Sequence, residues 1–86
     1  MSTKLHVGNL PLWVTDQHLS DKFARFGIVE LAVVAKDDMS GASCGFGIVE
    51  MSDSASAQRA IKWLNFSSYE GQIMAVGLFD SGKSAH

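Results

Sequence analysis

Eighty-six residues make one small domain with no room for a second core, and 47% hydrophobic against 19% charged content describes a compact globule rather than a disordered segment. A net charge of −2 argues against a protein that holds nucleic acid mainly by broad electrostatic attraction, because lysine and arginine drive phosphate binding; a small basic rim or a stacking surface stays open. No run approaches the roughly 20 apolar residues of a membrane span, "MSTKLHV" lacks the long apolar core of a secretory signal, and the single cysteine, Cys44, cannot close an internal disulfide, so a cytoplasmic protein without a membrane partner is expected.

Lys4 to Val7 reads as a short strand, broken by Gly8-Asn9 and Pro11. Thr15 stands at a helix N-cap with Asp16 in the first turn, where a carboxylate meets the positive end of the helix. Leu19, Phe23 and Phe26 recur at i, i+4 and i+7 as the stripe of a core-facing helix, and Gly27 closes it. Ile28 to Lys36 is rich in Val and Ala, with Val29, Leu31 and Val33 alternating against their neighbours, and reads as a strand. "DDMSGAS" is a polar loop. "CGFGIVEM", Cys44 to Met51, reads as a third strand, although Gly45 and Gly47 lie inside it. Interior glycines weaken a strand and mark a close backbone approach. Asp53 is a second N-cap, and Ala57, Ala60, Ile61 and Leu64 form the second helical stripe. "NFSSYEG" reads as a loop and Ile73 to Phe79 as the last strand. "DSGKSAH" reads as a frayed end, which sets a domain over residues 1–80 and a flexible tail over 81–86.

The order β-α-β-β-α-β predicts an α+β, ferredoxin-like sandwich: a four-stranded antiparallel sheet with both helices on one face. In that topology the first and third strands lie side by side at the centre, and their outward side chains share one patch. Side chains alternate along a strand, so Gly45, Gly47, Val49 and Met51 turn to the helices while Phe46, Ile48 and Glu50 face outward. Leu31 and Val33 join them from the second strand, and Ala75, Gly77 and Phe79 from the last. A phenylalanine beside an isoleucine on an uncovered sheet is not explained by core packing.

Over residues 4 to about 80 these features resemble the RNA recognition motif family. The family's third-strand signature runs Lys/Arg, Gly, Phe/Tyr, Gly/Ala, Phe, Val, any, Phe/Tyr, and Gly45, Phe46, Gly47 and Val49 match four of its seven specified positions. "LHVGNL", Leu5 to Leu10, is similar to the first-strand signature, with His6 at its aromatic position and Asn9 at its asparagine. "NLP", Val14-Thr15, "FG" at 26–27 and "AQRAIKWLN" at 57–65 follow in the family's usual order. The resemblance implies single-stranded RNA bound by base stacking on outward aromatics, with a basic residue touching the backbone. Carried over, the RNA-binding positions are His6, Asn9, Phe46 and Ile48, with Phe79 as an added ring at the sheet edge, where Lys83 of the tail could fold over. Two departures bear on function. Cys44 occupies the basic position, so that phosphate contact is lost, and Ile48 packs without a π-face. Modest affinity is expected, with single-stranded DNA as a possible second ligand.

The alternative is an apolar sheet face for a protein partner or a second copy of the chain, so the state expected is a monomer or a weak homodimer. Cys44 reads as an inert thiol. Trp13 is expected to cover the core edge. Trp63, about 110° off the centre of its stripe, is expected to be half-buried, with a protein-docking anchor as the other reading. Some family relatives bind peptides through an Arg-x-Phe after this helix; here that place reads Ser67-Ser68-Tyr69, without the arginine. An enzyme is not expected, and neither is a cofactor. His6, His18 and His86 lack zinc-ligand spacing, no nucleophile–base pattern is present, and "GFG" lacks the context of a phosphate loop.

Overall fold

The computed structural model of the protein describes residues 2–79, so the tail expected over 81–86, Lys83 included, lies outside the described residues. Strand β1 (Thr3–Gly8) leads to helix α1 (Asp16–Phe23), which tightens into a 3-10 turn over Ala24–Phe26. Strands β2 (Val29–Lys36) and β3 (Ser43–Met51) follow, then helix α2 (Ser54–Leu64). Two short strands, β4 (Ser68–Tyr69) and β5 (Gln72–Ile73), precede β6 (Ala75–Leu78). The main sheet has the order β2-β3-β1-β6 with every pairing antiparallel, which is the ferredoxin-like arrangement with β1 and β3 at the centre.

Both helices start where short polar side chains cap them. Thr15 Oγ1 accepts the His18 N–H at 3.2 Å, and the Thr15 N–H donates back to His18 Nδ1 at 3.0 Å, so a histidine closes the capping box. Asp16 Oδ1 accepts the Val34 N–H at 2.7 Å and lies 3.7 Å from Lys36 Nζ, tying the start of α1 to β2. At α2, Asp53 Oδ1 accepts the Ser56 N–H at 2.7 Å. The Ser56 backbone and hydroxyl hold the Asp53 carboxyl below the usual carboxylate range. A pKa depressed by folding stabilises the native state above the unfolded pKa, and the contribution is lost as pH falls through the folded one. The melting temperature of the parent is therefore expected to exceed that of Asp53→Ala at pH 7. The gap is expected to close as pH is lowered below about 4; a gap that persists unchanged in acid would contradict the charge-assisted cap.

The apolar stripes meet between sheet and helices. Leu5 and Val7 of β1, Val49 and Met51 of β3, Leu19 and Phe23 of α1, and Ala57 and Ala60 of α2 are all at 0% exposure. Each large side chain among them contributes about 1.5–3 kcal/mol by leaving water. Phe26 and Ile61 pack against this core while partly exposed.

The two glycines of β3 have different reasons. A Cβ on Gly47 would lie 2.6 Å from the Val33 carbonyl oxygen and 2.9 Å from Leu19 Cδ2, so its absence lets α1 settle on the sheet, as alternation along the strand predicts. Gly45 does not face a helix. Its φ of +83° places it in the left-handed region, and its carbonyl accepts the Leu10 N–H at 2.8 Å. Here β3 carries extra residues between its pairings Gly47↔Val34 and Ser43↔Lys36, a bulge that accommodates the left-handed glycine while Cys44 and Phe46 stay exposed.

Two further expectations change. "NFSSYEG" is not all loop. Ser68–Tyr69 pairs with Gln72–Ile73 around Glu70 (φ +52°) and Gly71 (φ +89°), a two-residue turn with both φ values positive, so β6 begins at Ala75 rather than Ile73. Trp63 is 63% exposed rather than half-buried; it lies beyond the buried stripe with Lys62 Nζ 5.8 Å from its ring centroid. Trp13, expected to cover the core edge, is 51% exposed, its ring edge-on to His18 at 5.1 Å and to Tyr69 at 5.6 Å. No helix among the described residues is long and apolar enough to cross a membrane.

Candidate nucleic-acid interface

Alternation along β1 buries Leu5 and Val7 and leaves Lys4 and His6 on the uncovered face. His6 sits at the sheet centre, paired with Ile48 on one side and Gly77 on the other. Its ring stacks beside that of Phe46, with centroids 5.8 Å apart and an interplanar angle of 27°. Phe46 is 40% exposed. On the opposite flank of His6, nothing lies within 4 Å of where a Gly77 side chain would begin, so the sheet leaves space at that side of the imidazole.

Shallow grooves run to both sides of this pair and share His6 as a wall. One is lined by His6, Asn9, Leu12, Cys44, Phe46 and Gln72 at the β1 end. The other runs past Ala75, Gly77 and Phe79 to the edge of β6. Ile48 is half-buried and faces outward between His6 and Val33, its partners across the two ladders. Phe79 follows β6 with its N–H on the Lys4 carbonyl at 2.9 Å. Lys4 Nζ lies 6.0 Å from the Phe79 ring centroid. His6, Phe46, Ile48 and Phe79 thus share the open face.

Asn9 is placed differently. It takes a φ of +58°, which asparagine tolerates, and its Nδ2 donates to the Ile73 carbonyl at 2.8 Å while its own carbonyl accepts from Gln72 Nε2 at 3.1 Å. The side chain pins the β4–β5 hairpin against the end of β1 and still borders the groove.

Among the described residues, charge on this face is sparse. Glu50 accepts from Ser2 Oγ at 2.5 Å and sits across the ladder from Lys4. Cys44 is exposed at the rim of the groove that His6 and Phe46 line. Lys4 was the cation overlooked: the alternation that places His6 outward also places Lys4 there, two residues earlier. Leu12 and Gln72 were missed for a different reason, since only the folded loop and hairpin bring them to the groove. No group of three or more His, Cys, Asp or Glu side chains among the described residues converges to hold a metal ion. The arrangement offers stacking and apolar contact.

A family model described as RNA recognition motif matches residues 5–74. RNA-binding protein 38 of Gallus gallus is 48% identical over 60 residues, covering 70% of this chain and 28% of that protein. The match therefore covers 27–28% of the length of such curated relatives. Among solved structures, RNA Binding Protein PG1 superposes with a TM-score of 0.87 at 35% identity, covering 90% of this chain and 93% of that one. The Sxl-lethal protein/RNA complex superposes with a TM-score of 0.89 at 29% identity, covering 95% of this chain and 49% of that one.

Proposed function

The chain belongs to the RNA recognition motif family, a family of non-catalytic RNA-binding modules, and we propose that it binds single-stranded RNA on the open sheet face by base stacking. The observation that carries the reading is the His6–Phe46 pair, two rings set side by side at 5.8 Å on a face that no other element among the described residues covers. One base stacks on His6, and Phe46 packs a second base or a sugar. Ile48 supports them by apolar contact, and Phe79 extends the surface across β6. Stacking contributes about 1–3 kcal/mol per base, so two rings give modest affinity. Stacking uses base faces that DNA also has, and single-stranded DNA is expected to bind the same rings.

Phosphate contact comes from Lys4, whose Nζ lies beside the Phe79 ring, since Cys44 supplies none. With about one to three phosphates neutralised, the log–log dependence of affinity on salt is expected to have a slope of about −0.7 to −2. Fluorescence anisotropy of a labelled single-stranded RNA pool across a salt series measures it. A slope steeper than about −4 would contradict a stacking-dominated surface.

A second reading, a protein-binding or homodimer patch, is favoured by Leu31 and Val33, each 42% exposed and paired across the ladder with Glu50 and Ile48. It predicts amide shifts on the sheet that depend on protein concentration without RNA.

A further inference from the structure

Phe66 follows α2 with a φ of +68° and 76% of its surface exposed. A bulky side chain in the left-handed region is strained, and glycine or asparagine would serve the turn better. The turn itself is made by backbone and neighbouring groups. Phe66 N–H donates to the Met74 carbonyl at 2.8 Å, and the Ser67 N–H and Oγ both donate to the Leu64 carbonyl, at 2.9 and 2.6 Å. None of these bonds uses the phenyl ring, and its exposure shows that the core does not use it either. An unfavourable backbone and an exposed apolar ring together point to a contact outside the fold.

The ring borders the groove that begins at His6. That groove runs over Ala75, Gly77 and Phe79 on the open face, around the edge of β6 at Leu78, to Phe66. Strand β6 is an edge, paired only with β1 among the described strands. The Val76 N–H on its outer side is already taken by Asn65 Oδ1 at 2.9 Å, so the edge is poorly suited to accept an added strand from another chain. What it presents is side-chain surface, continuous with the His6–Phe46 platform, with Lys4 Nζ near Phe79 as a cation for phosphate.

We propose that Phe66 is a nucleotide-binding residue, the far end of the RNA track, receiving a base that has passed over the β6 edge beyond those stacked on the sheet. This rests on the sheet being an RNA surface. The two or three bases taken by the central aromatics of such a sheet fit a short oligonucleotide, and the nucleotide on Phe66 needs a longer one.

The test compares Phe66→Asn with the parent on labelled random-sequence single-stranded RNA pools of 4 and 8 nucleotides, alongside thermal melting. Asparagine tolerates the positive φ, so the melting temperature is expected to hold or rise. Affinity for the longer pool is expected to fall about tenfold, the scale of one stacked base, and for the shorter pool less than twofold. Unchanged affinity for the longer pool would overturn the edge site and leave the sheet platform standing. Equal loss on both pools together with a lower melting temperature would make Phe66 a structural residue and overturn it as well. A parent protein that binds neither pool would sink the sheet reading, and the edge site with it.

Discussion

Cys44→Arg combined with Ile48→Phe is expected to tighten single-stranded RNA binding by about tenfold to a hundredfold. On the proposed RNA reading, these two positions are where the sequence departs from the family signature's basic residue and second ring. Stacking contributes about 1–3 kcal/mol per base, of which the isoleucine already supplies the apolar part. A solvent-exposed charge contact adds less, about 0.5–1 kcal/mol by analogy with exposed ion pairs. At about 1.4 kcal/mol per factor of ten, the sum falls in that range. Cys44 is exposed, and Ile48 faces away from the helices between His6 and Val33, so the fold is expected to tolerate both changes. Anisotropy titration on a single-stranded RNA pool reads the gain. A folded double variant that binds no tighter than the parent would mean that this sheet does not take RNA.

Phe46→Ala is expected to weaken binding by about tenfold to a hundredfold, since it removes one stacking surface. It also leaves the His6 imidazole without the ring that lies 5.8 Å from it. Stability should change little, because the side chain points away from the core and is 40% exposed. In the Cys44→Arg, Ile48→Phe background the same change should remove most of the gain. Binding unaffected by Phe46→Ala in a folded protein would rule out the central pair as the platform.

Much of this architecture was legible in the sequence because burial is periodic. Leu19 and Phe23 mark one helix and Ala57, Ala60 and Leu64 the other, and Thr15 and Asp53 are caps whose hydrogen bonds the structure contains. Alternation from Val49 and Met51 was enough to turn Phe46 and Ile48 outward, and from there the shared face with His6 followed from topology. The β4–β5 hairpin escaped because two-residue strands carry no period. Its register depends on the positive φ of Glu70 and Gly71 and on Asn9 reaching the Ile73 carbonyl from a distant strand. The bulge at Gly45 escaped for a related reason: a left-handed glycine and an inward-facing glycine look the same in a strand pattern. Trp63 shows the limit of helical angles, which tell how far a residue lies from the buried stripe but not whether a neighbouring loop covers it. Lys4 was legible and overlooked.

Residue-resolved amide shifts during titration with a pool of short single-stranded RNAs test the central claim most directly. The account predicts that shifts at His6, Phe46 and Ile48 lead the response, saturate with RNA, and do not occur when protein concentration alone is raised. Shifts confined to α1 and α2, or no RNA-dependent shifts in a sheet that changes only with protein concentration, would contradict it.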